Sequence, residues 1–187
     1  MSVVDRKRII FLDLMRAFAV LMMVQGHTID AFLANEFRIF DSLSFNIWNT
    51  MRGFTAPVFM FSSGVVFTYL LRLYKEPFFK NPRVKKGLIR FITLVTIGYL
   101  LRYPTYTFFN FRFVTEHQWK IFFMVDALHL IGFGLLFILI LSFIAEKIKL
   151  NDYFIFGAAA LFFFVLQPIT ESINWTHHLP LPFASYL

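Results

Sequence analysis

Apolar residues along this chain gather into five long blocks, separated by short stretches that are charged or contain proline. A membrane-crossing helix needs about 20 apolar residues. The pattern therefore predicts spans at Ile9–Leu33, Phe54–Tyr74, Leu88–Tyr103, Ile121–Ala145 and Tyr153–Thr170. The third block is short and can extend through Pro104 toward Phe109. Helices are expected because lipid offers no partner to a bare backbone group. Pro77 and Pro82 mark the loop between the second and third spans, and Asn151–Asp152 reads as the cap of the fifth helix. Pro168 lies near the end of that helix. The first block is too long for the apolar region of a cleavable signal and no small-residue cleavage site closes it, so it reads as a retained span. After the fifth block the run His177-His178-Leu179-Pro180-Leu181-Pro182-Phe183 is irregular. The chain is then apolar through Leu187, as though another span were to follow.

Polar residues inside the apolar blocks change this picture most. The first block holds Asp13, Arg16, His27 and Asp30. Each such group costs about 2.5–3.5 kcal/mol near the middle of a membrane helix. At about 100° per residue, Arg16 and His27 lie within about 20° of each other around the helix axis. Asp13–Arg16 and His27–Asp30 are both i,i+3 pairs, so all four fall on one stripe. That stripe must face protein or water. His27 is the candidate general base, and Asp30, one turn on, the group that orients its imidazole. Arg16 suits a phosphate or carboxylate of a substrate, with Asp13 as its structural partner. In the fourth block Asp126 and His129 form a second pair with the same spacing, expected to contact substrate or, equally, to act as a polar clasp between helices. Pro57 reads as a structural residue near a helix start. Ser62, Ser63 and Gly64 are small enough to let a neighbouring helix approach. His117, His177 and His178 are expected in water.

Composition supports the membrane reading. Of 187 residues, 58% are hydrophobic and 28 are Phe, more large apolar surface than a soluble core of this size can hide. The absence of cysteine excludes disulfides, thiolate catalysis and Cys-ligated zinc. The His and Asp spacing matches no zinc signature, so no metal is expected. The net charge of +7 does not point to nucleic acid, because the cations sit in short loops between apolar blocks. Most belong to one set of loops: Arg6, Lys7 and Arg8; Arg72, Lys75, Lys80, Arg83, Lys85, Lys86 and Arg90; Lys147 and Lys149. The other set holds Arg38, Arg52, Arg102, Arg112 and Lys120. This asymmetry predicts a multi-pass protein of the cell (cytoplasmic) membrane with a cytoplasmic N-terminus. The fold class is thus an all-α polytopic transmembrane bundle.

Three runs in this order, RIIFLDLMRAFAVLMMVQGHTID, RGFTAPVFMFSSGVVF and VDALHLIGFGLL, resemble the catalytic domain of heparan-alpha-glucosaminide N-acetyltransferase and its bacterial relatives. The first run is also similar to the acyltransferase type 3 family, whose first span carries a basic residue and a His with ten residues between them. Arg16 and His27 match that spacing. The resemblance implies a domain of roughly ten helices. It also implies acetyl-CoA or another acyl-CoA as donor from the cytoplasmic side, and a carbohydrate acceptor from the other. His27 then corresponds to the family's first-span histidine. Residues 1–187 supply about five spans, so the chain is expected to form the N-terminal half of such a domain, incomplete at its C-terminus. Either a second copy or the missing half would then close the site. The rival expectation is a proton- or ion-coupled transporter that uses the Arg–His–Asp stripe as a relay.

Overall fold

A computed structural model describes residues 9–38, 42–74, 76–105, 111–184 and 186, and the side chain of Leu181 is not among the parts described. Arg6, Lys7, Arg8, Lys75 and the proposed extension to Phe109 lie outside these residues. The described residues are helical, with no strand. Four helical stretches are long and apolar enough to cross a membrane: Ile10–Phe32, Leu43–Arg72, Ala127–Ile148 and Asp152–Ser172. The chain is a helical membrane bundle. Its contacts divide into two compact units, Met1–Lys75 and Glu76–Leu187.

In the first unit, α1 (Ile10–Phe32) is followed by a short 3-10 turn at Asn35–Phe37, then α2 (Leu43–Gly53) and α3 (Thr55–Arg72). α1 packs on α3. It buries Leu12, Ala19, Met22 and Gly26, one helical face that includes two small residues. α3 answers with Thr55, Ser62, Phe67 and Leu71. Ser62 is fully buried, while Ser63 and Gly64 are half-buried. Ser62 thus puts a small side chain on the buried face of α3. Pro57 is the third residue of α3, within the first turn, where its missing N–H breaks no helical bond. The sequence pattern did not predict α2.

In the second unit, α4 (Pro82–Leu101) starts six residues before the expected third span. The Asn81 side chain accepts from the Arg83 amide at 2.9 Å and Pro82 occupies the first helical position. Arg83, Lys85, Lys86 and Arg90 were read as loop charges, yet they lie in the first half of this helix. They keep α4 out of the group of four apolar stretches. The expected single span Ile121–Ala145 is two helices, α5 (Glu116–Phe123) and α6 (Ala127–Ile148), separated at Met124–Asp126. Thr115 and Gln118 form a reciprocal capping box at the start of α5. Lys149, in the left-handed conformation (φ 59°), ends α6. α7 (Asp152–Ser172) starts at the expected cap, with Asn151 accepting from the Tyr153 amide at 3.1 Å, and runs through Pro168. A 3-10 turn at Trp175–His177 and the short α8 (Leu181–Ala184) follow.

α4 and α6 form the main packing interface of this unit. Glycines set its closeness. A Cβ on Gly132 would lie 3.0 Å from Val95 and 3.4 Å from the Phe91 carbonyl. A Cβ on Gly98 would lie 2.5 Å from Cε1 of His129, so only glycine leaves room for that ring.

Candidate functional site

The polar stripe of α1 runs beside its buried face. Asp13, His27 and Asp30 are exposed and Arg16 is half-buried. A groove of about 600 Å³ runs along the stripe, lined by Asp13, Arg16, Ala17, Val20, Leu21 and Val24 of α1 and Phe59 of α3. Arg16 sits toward its start. Its guanidinium carbon is 5.9 Å from the Phe59 ring centroid, within cation–π range. Its Nε is buried without a hydrogen-bond partner. Among the described residues no ion pair joins Asp13 to Arg16, so the guanidinium keeps donors for another group. His27 lies three residues beyond Val24, the last α1 residue of the groove.

Asp30 has a different partner from the one its spacing suggested. Nη1 of Arg52 donates to Oδ1 of Asp30 at 2.9 Å, and Nη2 of Arg52 pairs with Oδ2. Both carboxylate oxygens are therefore engaged by one guanidinium, and among the described residues no hydrogen bond links Asp30 to His27. Arg38 closes the end of α1. Its Nη2 donates to the carbonyls of Asp30 (3.0 Å) and Leu33 (3.1 Å), and its Nε to that of Leu33 (3.3 Å). These carbonyls are among those a helix end leaves unpaired. Sequence reasoning treated Arg38 and Arg52 only as loop charges.

The second His–Asp pair belongs to the second unit and doubles as a helix cap. Asp126 precedes α6, and its Oδ1 accepts from the amides of Leu128 (3.0 Å) and His129 (3.3 Å). The same oxygen lies 2.8 Å from Nδ1 of His129. The Asp126 amide also points at Nδ1, at 3.4 Å. One nitrogen cannot both donate and accept with a single proton, and the shorter contact to a carboxylate is the stronger. Nδ1 therefore carries the proton and donates to Asp126. Nε2 is buried without a hydrogen-bond partner. Nε of Arg102 lies 3.5 Å from Oδ2 of Asp126. Burial acts to raise the Asp126 carboxyl. The hydrogen bonds from His129 and the charges of His129 and Arg102 outweigh it and hold the group below its ordinary value.

The His129 ring is sealed at 0% exposure. Gly98 lies against it, and the Tyr99 ring meets it edge-on at 4.4 Å between centroids. The Tyr99 and Tyr186 hydroxyls are 2.9 Å apart. Burial and the Tyr99 hydroxyl push the Tyr186 phenol above its ordinary range, so it stays protonated. His129 was expected to touch substrate, and its sealed ring can do so only through Asp126. The two His–Asp pairs belong to different units. His117, His177 and His178 are exposed. Among the described residues no three His, Asp or Glu side chains gather as a metal site would require.

Comparison with known families matches residues 8–185 to the model described as heparan-alpha-glucosaminide N-acetyltransferase, catalytic. The chain belongs to this family. The match takes in both units, and family membership implies a membrane function of acetyltransferase type. Searches of curated proteins and of solved structures returned no match.

Proposed function

We propose that the chain transfers an acetyl or other acyl group from acyl-CoA to a carbohydrate acceptor at the membrane. The observation that carries this reading is the groove on α1, with the Arg16 guanidinium toward its start and His27 just beyond its end. Eleven residues separate the two, about 16 Å of helix rise, on nearly the same face. The groove gives an anionic head group a bidentate cation and a linear arm an apolar wall. A thioester reaching the far end would arrive at an exposed imidazole, which an acceptor can also approach.

The chemistry needs one base. His27 accepts the proton of an acceptor hydroxyl or amine as that oxygen or nitrogen attacks the thioester carbonyl. The tetrahedral intermediate then expels CoA as a thiolate by breaking the C–S bond, and the imidazolium returns the proton to sulfur. No covalent acyl-enzyme is needed. In the second unit His129 holds Asp126, which is partly exposed beside Arg102.

The donor role of Arg16 has a direct test. Arg16→Ala removes a charge-assisted contact and should raise the donor KM by about 10-fold or more. Arg16→Lys keeps the charge without the planar fork and should fall between the two. Donor KM unchanged in both variants, with the fold intact, would reduce Arg16 to packing against Phe59.

Orientation follows from the loop cations. With the N-terminus cytoplasmic and α4 crossing as a fifth span, Lys80 faces the cytoplasm and Phe113 the opposite side. Both are exposed. Single cysteines at these positions should differ toward a membrane-impermeant thiol reagent added to intact cells, with only the one at Phe113 labelled. Labelling at Lys80 alone would reverse the orientation and put the donor on the wrong side of the groove.

A further inference from the structure

Arg52 touches two α1 residues, Gly26 and Asp30, and these bracket His27. We propose that Arg52 is a positioning residue for the transfer reaction: its clasp on Asp30 holds the turn of α1 that carries His27 in register with the groove. The proposal rests on His27 as the base. Three observations support it. The guanidinium engages both oxygens of Asp30, a bidentate geometry that fixes direction as well as distance. Its stem lies so close to α1 that a Cβ on Gly26 would come within 3.3 Å of Nε, tighter than ordinary contact. Its charged carbon sits 5.6 Å from the Trp48 ring centroid, which holds the fork from the α2 side. The turn is thus gripped one residue before His27 and three residues after it.

Magnitudes separate positioning from bulk stability. The Arg52 and Asp30 side chains are 35% and 39% exposed. A pair that open to solvent adds little to folding. Geometry at a reacting group is far more sensitive, since a misplacement of about 1 Å can cost about 10²-fold in rate. With Asp30 engaged by Arg52, the carboxylate is not required to touch the imidazole. Its contribution reaches His27 through the helix turn. Arg38, bonded to the last carbonyls of α1, holds the same helix end through the backbone.

The test measures acyl transfer and amide hydrogen exchange on the full chain in detergent, for Arg52→Gln, Arg52→Lys, Asp30→Asn, the double variant Asp30→Asn/Arg52→Gln, and His27→Ala. Arg52→Gln should lower kcat by about 10- to 100-fold while the donor KM stays put. Exchange at residues 27–33 should rise while that of α3 does not. Asp30→Asn should match Arg52→Gln, and the double variant should be no worse than either, because all three remove one clasp. Arg52→Lys should recover part of the rate, since an ammonium spans the two oxygens poorly. Faster exchange with unchanged turnover would overturn the proposal. So would an Asp30→Asn variant far worse than Arg52→Gln, which would mean that the carboxylate acts on the imidazole directly. An inactive His27→Ala beside a fully active Arg52→Gln defeats the positioning role alone. An active His27→Ala defeats the base assignment and the positioning role with it.

Discussion

Replacing His27 by Ala should abolish most acyl transfer while leaving donor binding intact. Loss of a general base costs about 10²–10⁴-fold in rate. His27 is exposed and lies beyond the last groove residue of α1, so removing its ring takes nothing from the surface that would hold the donor. A kcat reduced by at least about 10²-fold with an unchanged donor dissociation constant is the expected pattern. Near-normal turnover would leave His27 as a surface residue of α1. The base would then have to be sought at the Asp126–His129 pair, where a carboxylate does meet an imidazole.

The second large effect is on stability, at Gly98. A methyl group there would sit 2.5 Å from Cε1 and 2.9 Å from both ring nitrogens of His129, in the α4–α6 interface. The ring has little freedom to move, because it is fully buried and tied by Nδ1 to Asp126. Overpacking of this kind costs about 1–3 kcal/mol. Gly98→Ala should therefore lower the midpoint of thermal unfolding in detergent. His129→Ala should also destabilise, because it empties a filled space and leaves Asp126 without its ring partner. The double variant should be more stable than the sum of the two losses, since the new methyl then fills part of the space the ring left. Strict additivity would mean that Gly98 and His129 do not share the interface as described.

The long helices were legible because their apolar blocks are long. α1, α3 and α7 begin and end within about two residues of the predicted spans, within the usual latitude of helix ends. α2 was missed because Ser44, Asn46, Asn49 and Thr50 interrupt its apolar pattern. The start of α4 was read as loop because its cations outweighed the Asn81–Pro82 start signal. The break before α6 falls in the apolar residues Met124 and Val125, where hydropathy carries no signal. Its marker was Asp126, whose cap role was hidden behind its i,i+3 spacing to His129. The same reasoning explains the site. The stripe on α1 was visible because helical periodicity is local. The Asp30–Arg52 clasp spans 22 residues through a turn, and no spacing rule reveals it. The Gly98–His129 contact joins two helices whose register depends on packing alone.

The polar stripe also fits a proton- or ion-coupled transporter, and one measurement separates the two. The purified chain, reconstituted in proteoliposomes, would be given radiolabelled acetyl-CoA with and without an amino-sugar acceptor, while internal pH is followed in the same vesicles. The account predicts acceptor-dependent transfer of label from CoA to the sugar, lost in His27→Ala, with no accompanying proton flux. Proton flux driven by a solute gradient, with no label reaching the acceptor, would contradict it.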